Sequence, residues 1–149
     1  MRTFALRLRR APSDRGALSL EAMVLFPVLI MVLLLVVAFG RVTSSHNAVD
    51  AAARNAARAA SLERNGGSAS SAGQATAREV LGQQGLQCTS TSVSISTGGF
   101  SARIGETSST TATVTCVVNL SDIALPGLPG AKTLTSSFTS PIDSYRQRG

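Results

Sequence analysis

The residues of this 149-residue chain with chemistry to offer are few: a carboxylate at the edge of an apolar run, two cysteines and one histidine. Glu21 stands directly before residues 22–40 (AMVLFPVLIMVLLLVVAFG), an uncharged stretch that Arg41 closes. An ionised carboxylate costs about 3 kcal/mol near the centre of a bilayer and less toward its surface, so Glu21 must be neutralised or paired. Its chemistry is ion pairing, either with Arg15 in a headgroup region or with a cation from another chain. Cys88 and Cys116 either form a disulfide or stay as two buried thiols. His46 has no acid and nucleophile in a recognisable relay and is expected at a surface or interface. Together with two distant cysteines it does not make zinc spacing. Gly66-Gly67 and Gly98-Gly99 read as turn glycines, not phosphate-cradling loops. Asn119-Leu120-Ser121 matches a glycosylation sequon, a short pattern to which no role is assigned. The expectation is no catalytic residue, no metal, no cofactor and no small-molecule substrate.

The element that positions Glu21 is the apolar run. As a helix, its nineteen residues at ~1.5 Å each extend roughly 28 Å, close to the thickness of a bilayer's hydrocarbon. The formal charge of +6 invites a nucleic-acid reading, but five of the fourteen basic residues (Arg2, Arg7, Arg9, Arg10 and Arg15) lie within residues 1–16, with Asp14 the only acid there. Without residues 1–16, which carry those five positive charges and one negative, the chain is left at +2. The basicity is thus topogenic, placing the leader in the cytoplasm and the residues beyond the span outside it. No aromatic-interleaved basic patch remains, so a nucleic-acid partner is not expected. Outside the cytoplasm a disulfide persists, and one closing the 28-residue separation of Cys88 and Cys116 stabilises by roughly 3–4 kcal/mol in the chain-entropy model. That matters in a domain whose only aromatics after the span are Phe100, Phe138 and Tyr145.

The start of the chain admits two processing routes. Ala38-Phe39-Gly40 is a candidate cleavage site of an ordinary secretory signal, which would make this a secreted or membrane-anchored extracytoplasmic binding protein. Against it, the apolar run exceeds the usual signal length and is long enough to remain as an anchor. The other route lies at Arg15-Gly16-Ala17-Leu18-Ser19-Leu20-Glu21. A short basic leader ending in Arg15-Gly16, a small or apolar stretch from Ala17 to Leu20, Glu21, and a helix-length apolar segment containing Pro27 resemble the type IV prepilin family. The likeness is closer still to the TadE-like pseudopilins of tight-adherence (Flp-type) pilus systems. That resemblance implies cleavage after Gly16 by a membrane-embedded prepilin peptidase, Ala17 as the new amino terminus, and Glu21 pairing with the amine of a neighbouring subunit. The partners it implies are the membrane, that peptidase, other pilin or pseudopilin subunits and the pilus assembly platform. It also implies a single-pass protein of the cytoplasmic membrane, N-terminus inside and C-terminal domain outside. Type IV pilins proper usually begin with an aromatic residue, whereas this chain would begin with Ala17, which favours the TadE-like branch. Pro27 removes a helical hydrogen bond and is read either as a flexible point useful in assembly or as an ordinary membrane-helix proline.

Beyond the span, residues 41–63 continue as an alanine-rich helix in which Ala48, Ala52, Ala56 and Ala59 form a small-residue stripe suited to close packing. Asp50 and Arg54, one turn apart, are expected to pair. Residues 65–73 (NGGSASSAG) read as a flexible break and 74–85 as a short helix with Ala77, Val80 and Leu81 on one side, ended by Gly85. Three β segments come next: Thr89–Ser96 with Thr91, Val93 and Ile95 on one face, Thr110–Leu120 with Ala112, Val114, Cys116, Val118 and Leu120 on one face, and Lys132–Ser140 with Leu134 and Phe138 inward. The fold class is α+β, a long N-terminal transmembrane and stalk helix followed by a small antiparallel sheet, as in pilins. The expected organisation is a cleaved leader over 1–16, span and stalk over 17–64, break and short helix over 65–85, and an extracytoplasmic β domain over 86–149.

Overall fold

Residues 17–62 hold few helix breakers. In the computed structural model, which describes residues 15–123, 127 and 129–145, they fall in one helix, α1 (Arg15–Leu62). Pro27 lies inside α1 without ending it. The chain divides into two units, residues 1–36 and 37–149. In the first, every side chain from Ala22 to Val36 is exposed, and none of the span's apolar surface is covered by the protein itself. Large side chains without a core of their own are what a helix surrounded by lipid or by other helices requires.

The second unit builds its core on the rest of α1. Val49, Ala52, Ala53, Ala56 and Ala57 are buried together with Ala77 and Leu81 of a second helix and with the inner face of a sheet. The buried face is wider than the stripe expected from the sequence, taking in Ala53, Ala57 and Ala60, while Ala59 is only half-buried. Two neighbours touch α1 where the sequence pattern suggests one.

The second helix, α2 (Gly66–Gln83), corrects the reading of residues 65–73 as a flexible break. Asn65 adopts an extended conformation and caps the helix, its side-chain oxygen accepting the Ser68 N–H at 2.9 Å. Ala69, Gly73, Ala77 and Leu81, each four residues from the last, form its buried face. The glycine that looks like flexibility in the sequence is a contact. A Cβ at Gly73 would lie 2.8 Å from Ile95 Cδ1 and 3.2 Å from the Ala56 carbonyl oxygen, so only glycine fits this approach unstrained. Tertiary packing here outweighs glycine's poor helix propensity of about 1 kcal/mol. The helix ends near Gly85, at a positive φ of 66°, as expected.

Three antiparallel strands, β1 (Ser90–Ile95), β2 (Ser108–Asn119) and β3 (Ala131–Ile142), form a sheet in the order β1-β2-β3. A 3₁₀ turn (Gly98–Ser101) joins the first two, and a four-residue helix, α3 (Leu120–Ile123), comes after β2. Alternation along β2 buries Ala112, Val114, Cys116 and Val118 against the helices and leaves Thr111, Thr113 and Thr115 on the other face. There Thr111 and Thr139 share a hydrogen bond of 2.8 Å, and Thr115 and Thr135 one of 3.2 Å, across the β2–β3 register. Leu134 of β3 is fully buried, as expected. Phe138, expected inward, shares that face but remains 42% exposed, its ring 5.9 Å below the Arg54 guanidinium beside α1. The α+β architecture thus matches the sequence expectation, with three strands in one sheet.

Candidate functional site

Gly16, Ala17 and Glu21 all fall within the first two turns of α1. Ala17 and Glu21 are four residues apart, which on a helix is one turn, so the two positions stack on the same side of the backbone. Six residues on, Pro27 sits among exposed apolar side chains, Phe26 and Val28 beside it. From Ala22 the helix is long and apolar enough to cross a membrane, which suggests membrane anchoring. The N-terminal candidate site is therefore a helical backbone that carries one carboxylate position immediately before a wholly exposed apolar surface.

The two cysteines are joined. Cys88 and Cys116 form a disulfide with Cα atoms 5.4 Å apart, and no free cysteine remains. The approach to Cys88 is set by the end of α2, where the Leu86 N–H reaches back to the Leu81 carbonyl at 3.1 Å. Just after Cys88, the Thr89 N–H and hydroxyl both donate to the Val117 carbonyl, at 2.7 and 3.0 Å. Cys116 is fully buried on β2, so the bridge ties the α2–β1 connection directly into the core.

A polar cluster only half visible in the sequence lies where α1 meets β3. Arg54 and Asp50 pair at 3.0 Å, as their spacing predicts. Asp50 also accepts a hydrogen bond from the Ser136 hydroxyl, 86 residues away, a contact with no local signature. The Ser136 hydroxyl holds the Asp50 carboxyl below its ordinary value; partial burial works the other way, and Arg54 and the nearby His46 add to the lowering. A second tie joins Ser140 to Ser61 at 3.1 Å, so β3 is fixed to α1 at two levels. Serine, histidine and aspartate thus lie close together, yet Ser136 donates to the carboxylate itself and not to an imidazole. That is not the order a nucleophilic relay needs. Among the described residues no group of three His, Cys, Asp or Glu side chains is placed to hold a metal ion. The cluster's chemistry is positional: it locks the register of an edge strand against a helix.

Comparison with known protein families places residues 16–58 on the family model described as TadE-like protein. The matched stretch opens at Gly16, takes in Ala17, Glu21, Pro27 and the whole apolar span, and closes in the alanine-rich part of α1. No curated protein and no solved structure matched the chain.

Proposed function

We propose that this chain is a membrane-anchored pseudopilin, a structural subunit of a tight-adherence (Flp-type) pilus or a related secretion-like machine, and that it performs no catalysis. The observation that carries this reading is the TadE-like match over residues 16–58, set on a helix whose residues 22–36 expose every side chain. A prepilin peptidase cuts after Gly16, and Ala17 becomes the amino terminus. The new amine and Glu21 are then charges at the edge of hydrocarbon, where either alone is unfavourable. Pairing the amine of one subunit with Glu21 of its neighbour relieves both and sets the axial register of packed helices. Pro27 lies close enough to that edge to ease a subunit's passage from bilayer to assembly. The arginine-rich leader stays in the cytoplasm and residues 41–149 are exported, a placement supported by the disulfide, which persists in an oxidising compartment.

Mass analysis of the mature amino terminus tests this directly. A chain beginning at Ala17 supports the pseudopilin. One beginning at Arg41 supports a secretory signal cut after Gly40, and an intact Met1 a simple anchor; either of these removes the reading. Glu21→Ala is expected to leave membrane insertion intact and to abolish assembly, so normal assembly in that variant would refute the pairing role.

A further inference from the structure

The sheet has two edges, and they differ. β1 is six residues long and packs against α2, with Gly73 of that helix seated on Ile95. β3 is twelve residues long and forms the other edge. The Ser96 N–H donates to the Thr111 carbonyl at 2.8 Å, so odd-numbered residues of β2 bond toward β1 and even-numbered ones toward β3. Through the register Ala112–Phe138 and Val114–Ser136, the even residues of β3 bond to β2. Thr133, Thr135, Ser137 and Thr139 therefore turn their N–H and C=O groups to the open side. Among the described residues no backbone group pairs with them. Lys132 and Pro141 stand at either end of this stretch, residues of the kind that discourage indiscriminate pairing, and the eight residues between carry no charge and no proline.

Beside this edge runs a groove of about 560 Å³, lined by Asn47, Asp50, Arg54, Asn55 and Arg58 of α1 and by the half-exposed ring of Phe138. Its charge is unbalanced. Asp50 is engaged by Arg54 and Ser136, whereas the Arg58 guanidinium has no carboxylate partner among the described residues. A strand added to β3 would place every second side chain over this groove, next to Phe138 and the two guanidiniums. We propose that β3 accepts an added strand from an acidic, extended segment of a partner protein, with main-chain hydrogen bonds to residues 133–139 and carboxylates over Arg54 and Arg58.

The test uses the full chain in lipid nanodiscs and a fluorescent, acetylated eight-residue peptide alternating Glu with Val. Binding is read by anisotropy, and amide hydrogen exchange is read at Thr133, Thr135, Ser137 and Thr139. The expected result is binding that protects those four amides and weakens with salt. It should fall about five- to tenfold in the double variant Arg54→Ala, Arg58→Ala, whose intact disulfide and circular dichroism verify its fold. A peptide N-methylated at alternate amides should lose binding by more than about tenfold, with the protein left unaltered. Equal binding of a peptide with Lys in place of Glu, indifference to N-methylation, or no protection at millimolar peptide would overturn the proposal. So would protection of the four amides that rises with protein concentration alone, since the occupant would then be a second copy of this chain.

Discussion

Removing the Cys88–Cys116 bridge should cost this domain a large part of its stability, and the size of the loss can be worked out. The bridge closes a loop over a separation of 28 residues. In the chain-entropy model that constraint removes about 12 cal/mol/K from the unfolded ensemble, or about 3.6 kcal/mol at 25 °C. A domain of this kind has 5–15 kcal/mol in total as a rough range, and its interior is built largely from alanine and valine. Cys116 is fully buried and Cys88 partly so, which calls for substitutions that separate the cross-link from packing. Cys88→Ala with Cys116→Val keeps an apolar side chain at position 116. The double variant and the reduced wild-type protein should then lose similar amounts, about 3–4 kcal/mol by urea denaturation. At roughly 4–8 °C per kcal/mol for a domain near this size, the melting temperature falls by roughly 12–32 °C. β1, a short edge strand with mostly exposed side chains, should lose amide protection first. A loss below about 1 kcal/mol in both proteins would refute the reasoning. It would mean that residual structure already confines this segment in the unfolded chain without the bridge.

The glycines give predictions of opposite sign. A Cβ at Gly99 would sit 2.3 Å from the Ser109 carbonyl oxygen, so Gly99→Ala should destabilise by about 2–3 kcal/mol in denaturant titration, because backbone must move. On α2, Gly73→Val should cost about 2 kcal/mol or more by driving the helix off Ile95 and α1, whereas Gly82→Ala, with open space around it, should stabilise by about 0.5 kcal/mol. Asp50 titrates below its ordinary value of 3.8 in the folded protein, so its contribution is fully present above that value and is lost as pH falls through the lowered one. Asp50→Asn should therefore be less stable than wild type at neutral pH, with the difference shrinking as pH falls through the lowered value; a difference that does not change with acidity would show that Asp50 acts through shape and not charge.

The elements legible in the sequence are those whose side-chain pattern is its own cause. The uncharged run of residues 22–40 states a length and the alternation of Ala112, Val114, Cys116 and Val118 a period, and the structure obeys both. The cysteine pair is legible as a possibility through its position after the span, and the bridge is formed. Residues 65–73 mislead because Gly66, Gly67 and Gly73 are poor helix formers in isolation. The structure recovers that deficit through the Asn65 cap and through a contact that only a missing Cβ permits. For Phe138 the sequence indicates a face but not a depth, since it does not state how far α1 extends over the edge strand. The Ser136–Asp50 bond joins positions with no periodic relation and carries no signal. At the amino-terminal candidate site, Gly16, Ala17 and Glu21 are singled out by their resemblance to the prepilin pattern, and the structure adds that all three lie in one helix.

The alanine and glycine seam between α1 and α2 sets how the domain can move. Side chains that end at Cβ have no rotamers to surrender on folding, so ordering that seam costs main-chain freedom alone. By the same token there is nothing along it that can swing aside to absorb a displacement. A shift in one helix must be followed by the other as a rigid partner, and any residue change at those positions other than alanine to glycine adds bulk.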